Sequence, residues 1–322
     1  MALTRTRRAL KDFAREAVHA GAQDDVATAR IERGLDNALK ALARQREWSF
    51  HRDHYDIVCS IPVDFTDLLT ATQDSPAVHD ASLGTGGFVA GQVGAFIRFN
   101  SERKMYEIAS VTDDDDLTLA ENYSNEDGTN LSAADGQILF PLYDLPANFR
   151  KEECLYNTVD PDDELAYVDF GPLWKAHLER TGVGTPEAYG LIPKRNDPNV
   201  RQLALFPAPD VKKRYTLAYF RQPGWFSTAV PATSTWVKDL GAQAAGTYDA
   251  YYVDWPDNLM DVLEAAVLMC VAREIKPESY AAYKAAFNAE AREAAAFDKV
   301  NAKPRQLSRG VEVKGGFRAR FA

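Results

Sequence analysis

The sequence predicts an α+β fold: a helical base, made of an N-terminal helix and a C-terminal helix pair, a large inserted antiparallel β-domain, and an extended C-terminal arm. Three observations predict it. Apolar residues recur at spacings of three and four over residues 22–47. From Phe50 to about Tyr252 they alternate in short runs separated by Gly, Pro, Asn and Asp. Helical spacing returns at Pro256 and stops before Pro304. The expected boundaries are residues 1–50 with 253–302 for the helices, 51–252 for the β-rich domain, and 303–322 for the arm.

The first helix rests on Ala27, Ile31, Leu35, Ala38 and Leu42, with Asp24 or Asp25 placed to cap it. The stretch VGAFIRFNSERKMYEIASV, from Val93 to Val111, reads as two short strands around a polar turn. Leu117, Leu119 and Tyr123 continue the β pattern, a turn rich in Asn, Asp and Gly follows, and Ile138, Phe140, Leu142 and Tyr143 start the next strand. Residues 170–180 read as a short helix. Residues 74–91 and 227–248, rich in Gly, Ala, Ser and Thr, read as loops. LALFPAPDVKKRYTLAYFRQP, from Leu203 to Pro223, reads as a hairpin. Leu203 and Leu205 alternate on one side of it, Tyr215, Leu217 and Tyr219 on the other, and Pro207 and Pro209 end the first strand by removing two backbone donors.

The C-terminal pair starts with Asp254 placed to cap and Pro256 suited to a first turn. Leu259, Leu263, Val267 and Val271 form its stripe, widened by Val262, Ala266 and Cys270. Pro277 breaks this helix and opens the next, whose apolar face is Tyr280, Tyr283, Phe287, Ala291, Ala294 and Phe297. Its many alanines, Ala289 and Ala295 among them, permit close packing by another helix.

Composition narrows the function classes. With 46% hydrophobic residues among 322, the chain can bury a real core. No apolar run approaches the ~20 residues of a membrane span, and the N-terminus lacks the apolar stretch of a signal peptide. Synthesis in a reducing cytoplasm is the expectation. Cys59, Cys154 and Cys270 are odd in number and far apart, which speaks against disulfides and zinc. Charge is polarised. Residues 1–20 carry +3 and residues 303–322 carry +5, whereas residues 107–169 hold 17 acidic groups against Arg150 and Lys151, a net −15.

No motif carries chemistry. His51 and His54 could share a helical face, but the tract runs into a strand and lacks further ligands. TDDDDLTLAENYSNEDGT has the composition of a calcium loop without its register, and GTGGFVAG is not followed by a phosphate-binding helix. Ser227, Ser234 and Thr235 lack a nucleophile setting. Trp174, Trp225, Trp236 and Trp255 could form a sugar platform, though scattered tryptophans usually pack a core. No catalytic, cofactor-binding or metal residue is expected, and no enzyme.

The order of segments carries a resemblance. REWSF closes the first helix, and YEIASVTDDDDLTLAENYSNEDGT follows as a strand pair. Next come FPLYDLPANF from Phe140 to Phe149, GTPEAYGLIP, the proline-marked hairpin, and a helix pair opening on PDNL. Over roughly residues 25–300 this series resembles the head-to-tail adaptor (neck, or connector) proteins of tailed bacteriophages. No single motif in it is specific; the order carries the likeness.

The resemblance implies a structural virion protein at the portal vertex of the capsid. It would form a ring of copies, usually a dodecamer, that seals the DNA channel after packaging and offers the platform for the tail. The helical part would dock the portal and make the ring, with Leu259, Leu263, Tyr283, Phe287, Ala289 and Ala295 at the interface between copies. The β-domain would face the tail or nozzle proteins. Arg305, Arg309, Lys314, Phe317, Arg318, Arg320 and Phe321 would anchor the arm on the portal. Asp113, Asp114, Asp115 and Asp116 are candidates to line the passage, where carboxylates would repel packaged DNA without reading its sequence. Partners are therefore other copies of the chain, portal, tail proteins and passing DNA, with no membrane and no cofactor. The competing readings are a polysaccharide-acting hydrolase or lyase and a receptor-binding protein like a tail fibre.

Overall fold

A computed structural model describes residues 5–19, 25–81, 87–99, 104–125, 127–169, 171, 183–194, 197–227, 236–237 and 248–301. The architecture is mixed α+β. The described residues hold four α-helices and mostly antiparallel strands, six of which close a barrel. Contacts divide the chain into two compact units, Arg52–Arg221 and a second made of Met1–His51 with Gln222–Ala322. The described residues of 222–252, read from sequence as part of the β-rich domain, cluster with the helices, because Trp225 belongs to the helical core and Val237, Tyr248 and Tyr251 pack against it.

In the unit Arg52–Arg221 the strands are β1 (Arg52–Val58), β2 (Val63–Ala71), β3 (Ala77–Asp80), β4 (Phe96–Phe99), β5 (Met105–Val111) and β6 (Asp116–Leu119). Then come β7 (Leu131–Leu139), β8 (Leu142–Asp144), β9 (Phe149–Asn157), β10 (Ala166–Tyr167) and β11 (Val183–Gly184). The last four are β12 (Ala188–Lys194), β13 (Asp197–Phe206), β14 (Ala208–Pro209) and β15 (Arg214–Arg221). The barrel runs β2–β3–β6–β5–β4–β7 and closes by pairing β7 with β2. Alternation along each strand turns Phe65, Leu69, Val78, Ile97, Phe99, Tyr106, Ile108, Leu117 and Ile138 inward, so side chains fill the interior. The Phe99 ring meets Tyr123 edge-on with centroids 5.4 Å apart. Gly136 has no side chain because one would collide with Leu69 and sit 3.1 Å from the Arg98 carbonyl. The paired β4 and β5 match the sequence reading. The segment read as a loop at 74–91 contains β3, a barrel strand with only Val78 to mark it as apolar.

The other strands form a sheet β1–β15–β9 and a sheet β10–β12–β13–β8. Ile57, Leu155, Tyr215, Leu217 and Tyr219 from the first meet Tyr189, Leu191, Leu203 and Leu205 from the second in one core. This corrects the hairpin expectation. β13 pairs with β12 and β8, and β15 pairs with β1 and β9, so the two runs lie in different sheets. The alternation of Leu203, Leu205, Tyr215, Leu217 and Tyr219 is real, since all five face the shared core. The prolines end one ladder where Pro207 and Pro209 have no N–H to donate, and the chain crosses to the opposite sheet.

The helical unit contains α1 (Arg7–Val18), α2 (Asp25–Gln45), α3 (Met260–Ile275) and α4 (Tyr280–Asn301). A small sheet joins them, with β16 (Trp225–Phe226) between β17 (Trp236–Val237) and β18 (Tyr252–Val253). The sequence reading did not include α1. Its signals are Thr6, whose hydroxyl accepts from the Ala9 amide at 3.2 Å, and the buried series Leu10, Ala14, Val18. α3 is apolar nearly all round, as suits a helix packed against α1, α2 and α4. Gly34 lets α2 approach α3 closely: a Cβ there would lie 2.5 Å from Val271 Cγ2 and 3.3 Å from its Cα. Asp254 does not cap α3. It is buried, and its carbonyl accepts from the His51 ring at 3.3 Å, while a 3₁₀ turn at Asp257–Leu259 leads into the helix.

Candidate functional site

The surfaces singled out by sequence fall into three places. The first is the helix pair α3–α4. Leu259, Leu263 and Phe287 point into the core of their own unit, with Leu263 1% and Phe287 2% exposed. They hold this chain together, because the helical stripe that reads as an interface is part of the core of its own unit. Tyr283 and Ala295 are half-buried, and Ala289 is exposed. Outward from α4 stand Ala281, Ala282, Ala285, Ala286, Ala289 and Ala296, all exposed, with Phe297 exposed to 48%.

The second place is the acidic run. Asp113–Asp116 form the turn between β5 and β6. Asp113 Oδ1 accepts from the amides of Asp115 at 3.0 Å and Asp116 at 2.8 Å. The carbonyl of Asp115 accepts from the Asp80 amide and that of Asp114 from the Phe88 amide. Asp116 pairs with His79 at 3.0 Å, both exposed. The run thus builds a barrel turn with its own side chains, while Asp113, Asp114 and Asp116 keep their exposure.

The third place, the arm, lies outside the described residues. Arg305, Arg309, Lys314, Phe317, Arg318, Arg320 and Phe321 all fall there, as do Trp174 and residues 172–180 of the expected short helix.

Most of the other candidate groups are packed inside the described structure. His51 is fully buried and its ring meets Phe50 at 4.4 Å, while His54 is exposed, so the two do not converge. Trp48 and Trp255 pack edge-on at 5.4 Å and donate to the carbonyls of Leu42 and Leu259. None of the three cysteines is in a disulfide; Cys59 and Cys270 are buried and Cys154 half-buried. Burial pushes the Cys270 thiol up to about 11 and raises the Cys59 thiol, so neither is an activated nucleophile at neutral pH. Burial also raises Tyr143, Tyr189 and Tyr219, and takes Tyr215 up to about 12. Among the described residues no group of three His, Cys, Asp or Glu side chains could hold a metal ion. No described helix is long and apolar enough to cross a membrane.

No family model and no curated protein sequence matches the chain.

The sequence reading also passed over charge inside the helical unit. Lys11 Nζ lies 2.5 Å from Asp249 and 3.5 Å from Glu32, with Lys11 and Glu32 side chains 5% and 7% exposed. Asp36 is buried and accepts from Trp225 Nε1 at 2.8 Å, and the Arg7 guanidinium stacks over the same indole at 5.5 Å. Asp298 pairs with Arg46 at 2.9 Å and accepts from Ser49. Apart from Lys11–Glu32, which joins α1 to α2, each contact joins the first 51 residues to a segment after residue 221. The available signal was charged residues at core spacing, such as Lys11 one position from Leu10 on the α1 stripe.

Proposed function

We propose that this chain is a head-to-tail adaptor of a tailed bacteriophage, a structural virion protein that forms a ring between portal and tail. The helical unit is the ring-forming base, and the β unit, inserted between the two halves of that base in the sequence, serves the tail. The basic segment after α4 is the arm that reaches the portal. The ring is a dodecamer, and part of the acidic middle of the sequence faces the DNA it passes.

The observation that carries this reading is the outward face of α4. Ala281, Ala282, Ala285, Ala286, Ala289 and Ala296 are exposed on a helix whose opposite side already packs on α3. Small side chains let a second helix approach closely, and six on one helix exceed what its own fold uses. The segment order from REWSF to the helix pair supports the same reading.

The test is assembly on portal rings from the same virion, followed by light scattering and negative-stain imaging. Ring complexes are expected for the native chain, and Ala285→Glu with Ala289→Glu should abolish them while circular dichroism stays native. Complexes that form equally well with both glutamates, or a native chain that never associates with portal, would overturn the proposal.

A further inference from the structure

Between the start of α3 and the end of α4 lies a groove of about 150 Å³. At about 30 Å³ per water it has room for about five waters, the space of one large side chain. Leu259, Val262, Ala294 and Phe297 give it an apolar floor and wall. Asp261, Glu290 and Glu293 stand at its rim. None of these three carboxylates pairs with a cation among the described residues. A groove that is apolar below and acidic above suits a basic segment carrying an aromatic side chain.

The sequence holds one such segment close by. Residues 303–322 carry six basic groups against Glu312, with Phe317 and Phe321 flanking Arg318 and Arg320. We infer that the groove is the docking site of this chain's own C-terminal segment, with Phe317 or Phe321 in the apolar floor and the neighbouring arginines on Asp261, Glu290 and Glu293. Reach is sufficient. From Asn301 back to Glu290 is about 16 Å at 1.5 Å per helical residue. The chain from residue 302 to Phe317 can span about 50 Å when extended. A tethered segment also meets its site at an effective concentration near millimolar, so a modest contact fills it. Charge-assisted hydrogen bonds from arginine to carboxylate, together with a buried aromatic, are the usual carriers of such contacts. The inference stands on the groove and the charges alone, independent of the adaptor reading. If both hold, the groove is where the arm rests before it meets portal.

Tryptic cleavage of the full chain tests this, read by mass spectrometry at Arg309, Lys314 and Arg318. The variants are Asp261→Asn/Glu290→Gln/Glu293→Gln, which keeps side-chain shape, and Phe317→Ala/Phe321→Ala, which leaves every groove residue unchanged. Cleavage in the native chain is expected to be slow at low salt, and at least tenfold faster in either variant and in 1 M NaCl, where the Debye length falls to about 3 Å. Protection should not change on hundredfold dilution. Cleavage equally fast in native chain and variants would overturn the inference, and so would protection lost on dilution, which would assign the groove to the segment of a second copy.

Discussion

The barrel and the helical unit are cored in opposite ways. The barrel comes from one continuous stretch, Val63 to Leu139, and fills with Phe65, Phe99, Tyr106, Tyr123 and aliphatic side chains. The helical unit draws on both ends of the chain and buries Arg7, Lys11, Glu32, Asp36 and Asp298 beside its apolar core. A buried ion pair adds little net stability, yet removing one partner is costly. Apolar packing tolerates many arrangements of similar volume. Three of the six pairings in the barrel, β2–β3, β4–β5 and β5–β6, join strands consecutive in sequence, which limits the alternatives. Helices that meet across some 200 residues of intervening chain have no such constraint, and charges that pair in one alignment only supply it.

The largest effects should separate these two designs. Lys11→Met should cost the helical unit about 3–5 kcal/mol, because Glu32 is left charged in a dry site. Adding Glu32→Leu should recover most of that loss, since an apolar pair can replace a buried ionic one and Asp249 keeps access to water. Hydrogen exchange should quicken in α1–α4 and stay unchanged in the barrel. Phe99→Ala should cost the barrel a similar amount, about 3–5 kcal/mol, by opening a cavity between Tyr106 and Tyr123. No charge change elsewhere should rescue it. If Lys11→Met/Glu32→Leu proves as unstable as Lys11→Met alone, the buried charges do more than set alignment.

Gly34→Ala sharpens the same contrast at a smaller scale. Alanine normally favours a helix over glycine by about 1 kcal/mol. Here the added methyl meets the side chain and backbone of Val271, so a net loss of about 1–3 kcal/mol is expected in thermal melts.

The two-sheet core should respond to alkali. Tyr215 is fully buried, its hydroxyl has no hydrogen-bond partner among the described residues, and burial pushes it up from 10.0 to about 12. A raised phenol stays protonated in the folded state while the unfolded chain ionises. Its contribution is therefore complete below pH 10 and is lost as pH rises towards 12. Tyr215→Phe should leave stability at pH 7 equal or higher by up to about 1 kcal/mol, because it removes an unsatisfied hydroxyl. It should also flatten part of the fall in denaturation midpoint above pH 10. The remaining fall would belong to Tyr143, Tyr189 and Tyr219, raised by the same burial.

The smallest effect concerns the acidic turn. Asp113→Asn keeps the Oδ1 acceptor and should shift the melting midpoint negligibly. Asp113→Ala removes it from two amides and should cost about 1 kcal/mol. Any change in DNA retention by the asparagine variant would then report charge and not folding.

Local pattern alone determined a good deal of this protein. The spacing of Ile31, Leu35, Ala38 and Leu42 sets α2, that of Leu263, Val267 and Val271 sets α3, and the alternation of Phe96–Phe99 and Met105–Val111 sets a strand pair. Such periods report which side of an element is buried, because packing that side against the rest of the protein is what stabilises most helices and strands. They do not report what buries it. Leu263 and Phe287 read equally well as a contact between copies and as a contact within one chain, and only the packing of α3 on α4 decided for the latter. Leu205 and Leu217 read as facing residues of a hairpin, yet they enter one core from two different sheets, since alternation is blind to the strand's hydrogen-bonded neighbour. The pairing of Lys11 with Asp249, and of Trp225 with Asp36, joins residues too far apart in sequence for any local signal to register. Those partnerships come into being only when the two ends of the chain meet.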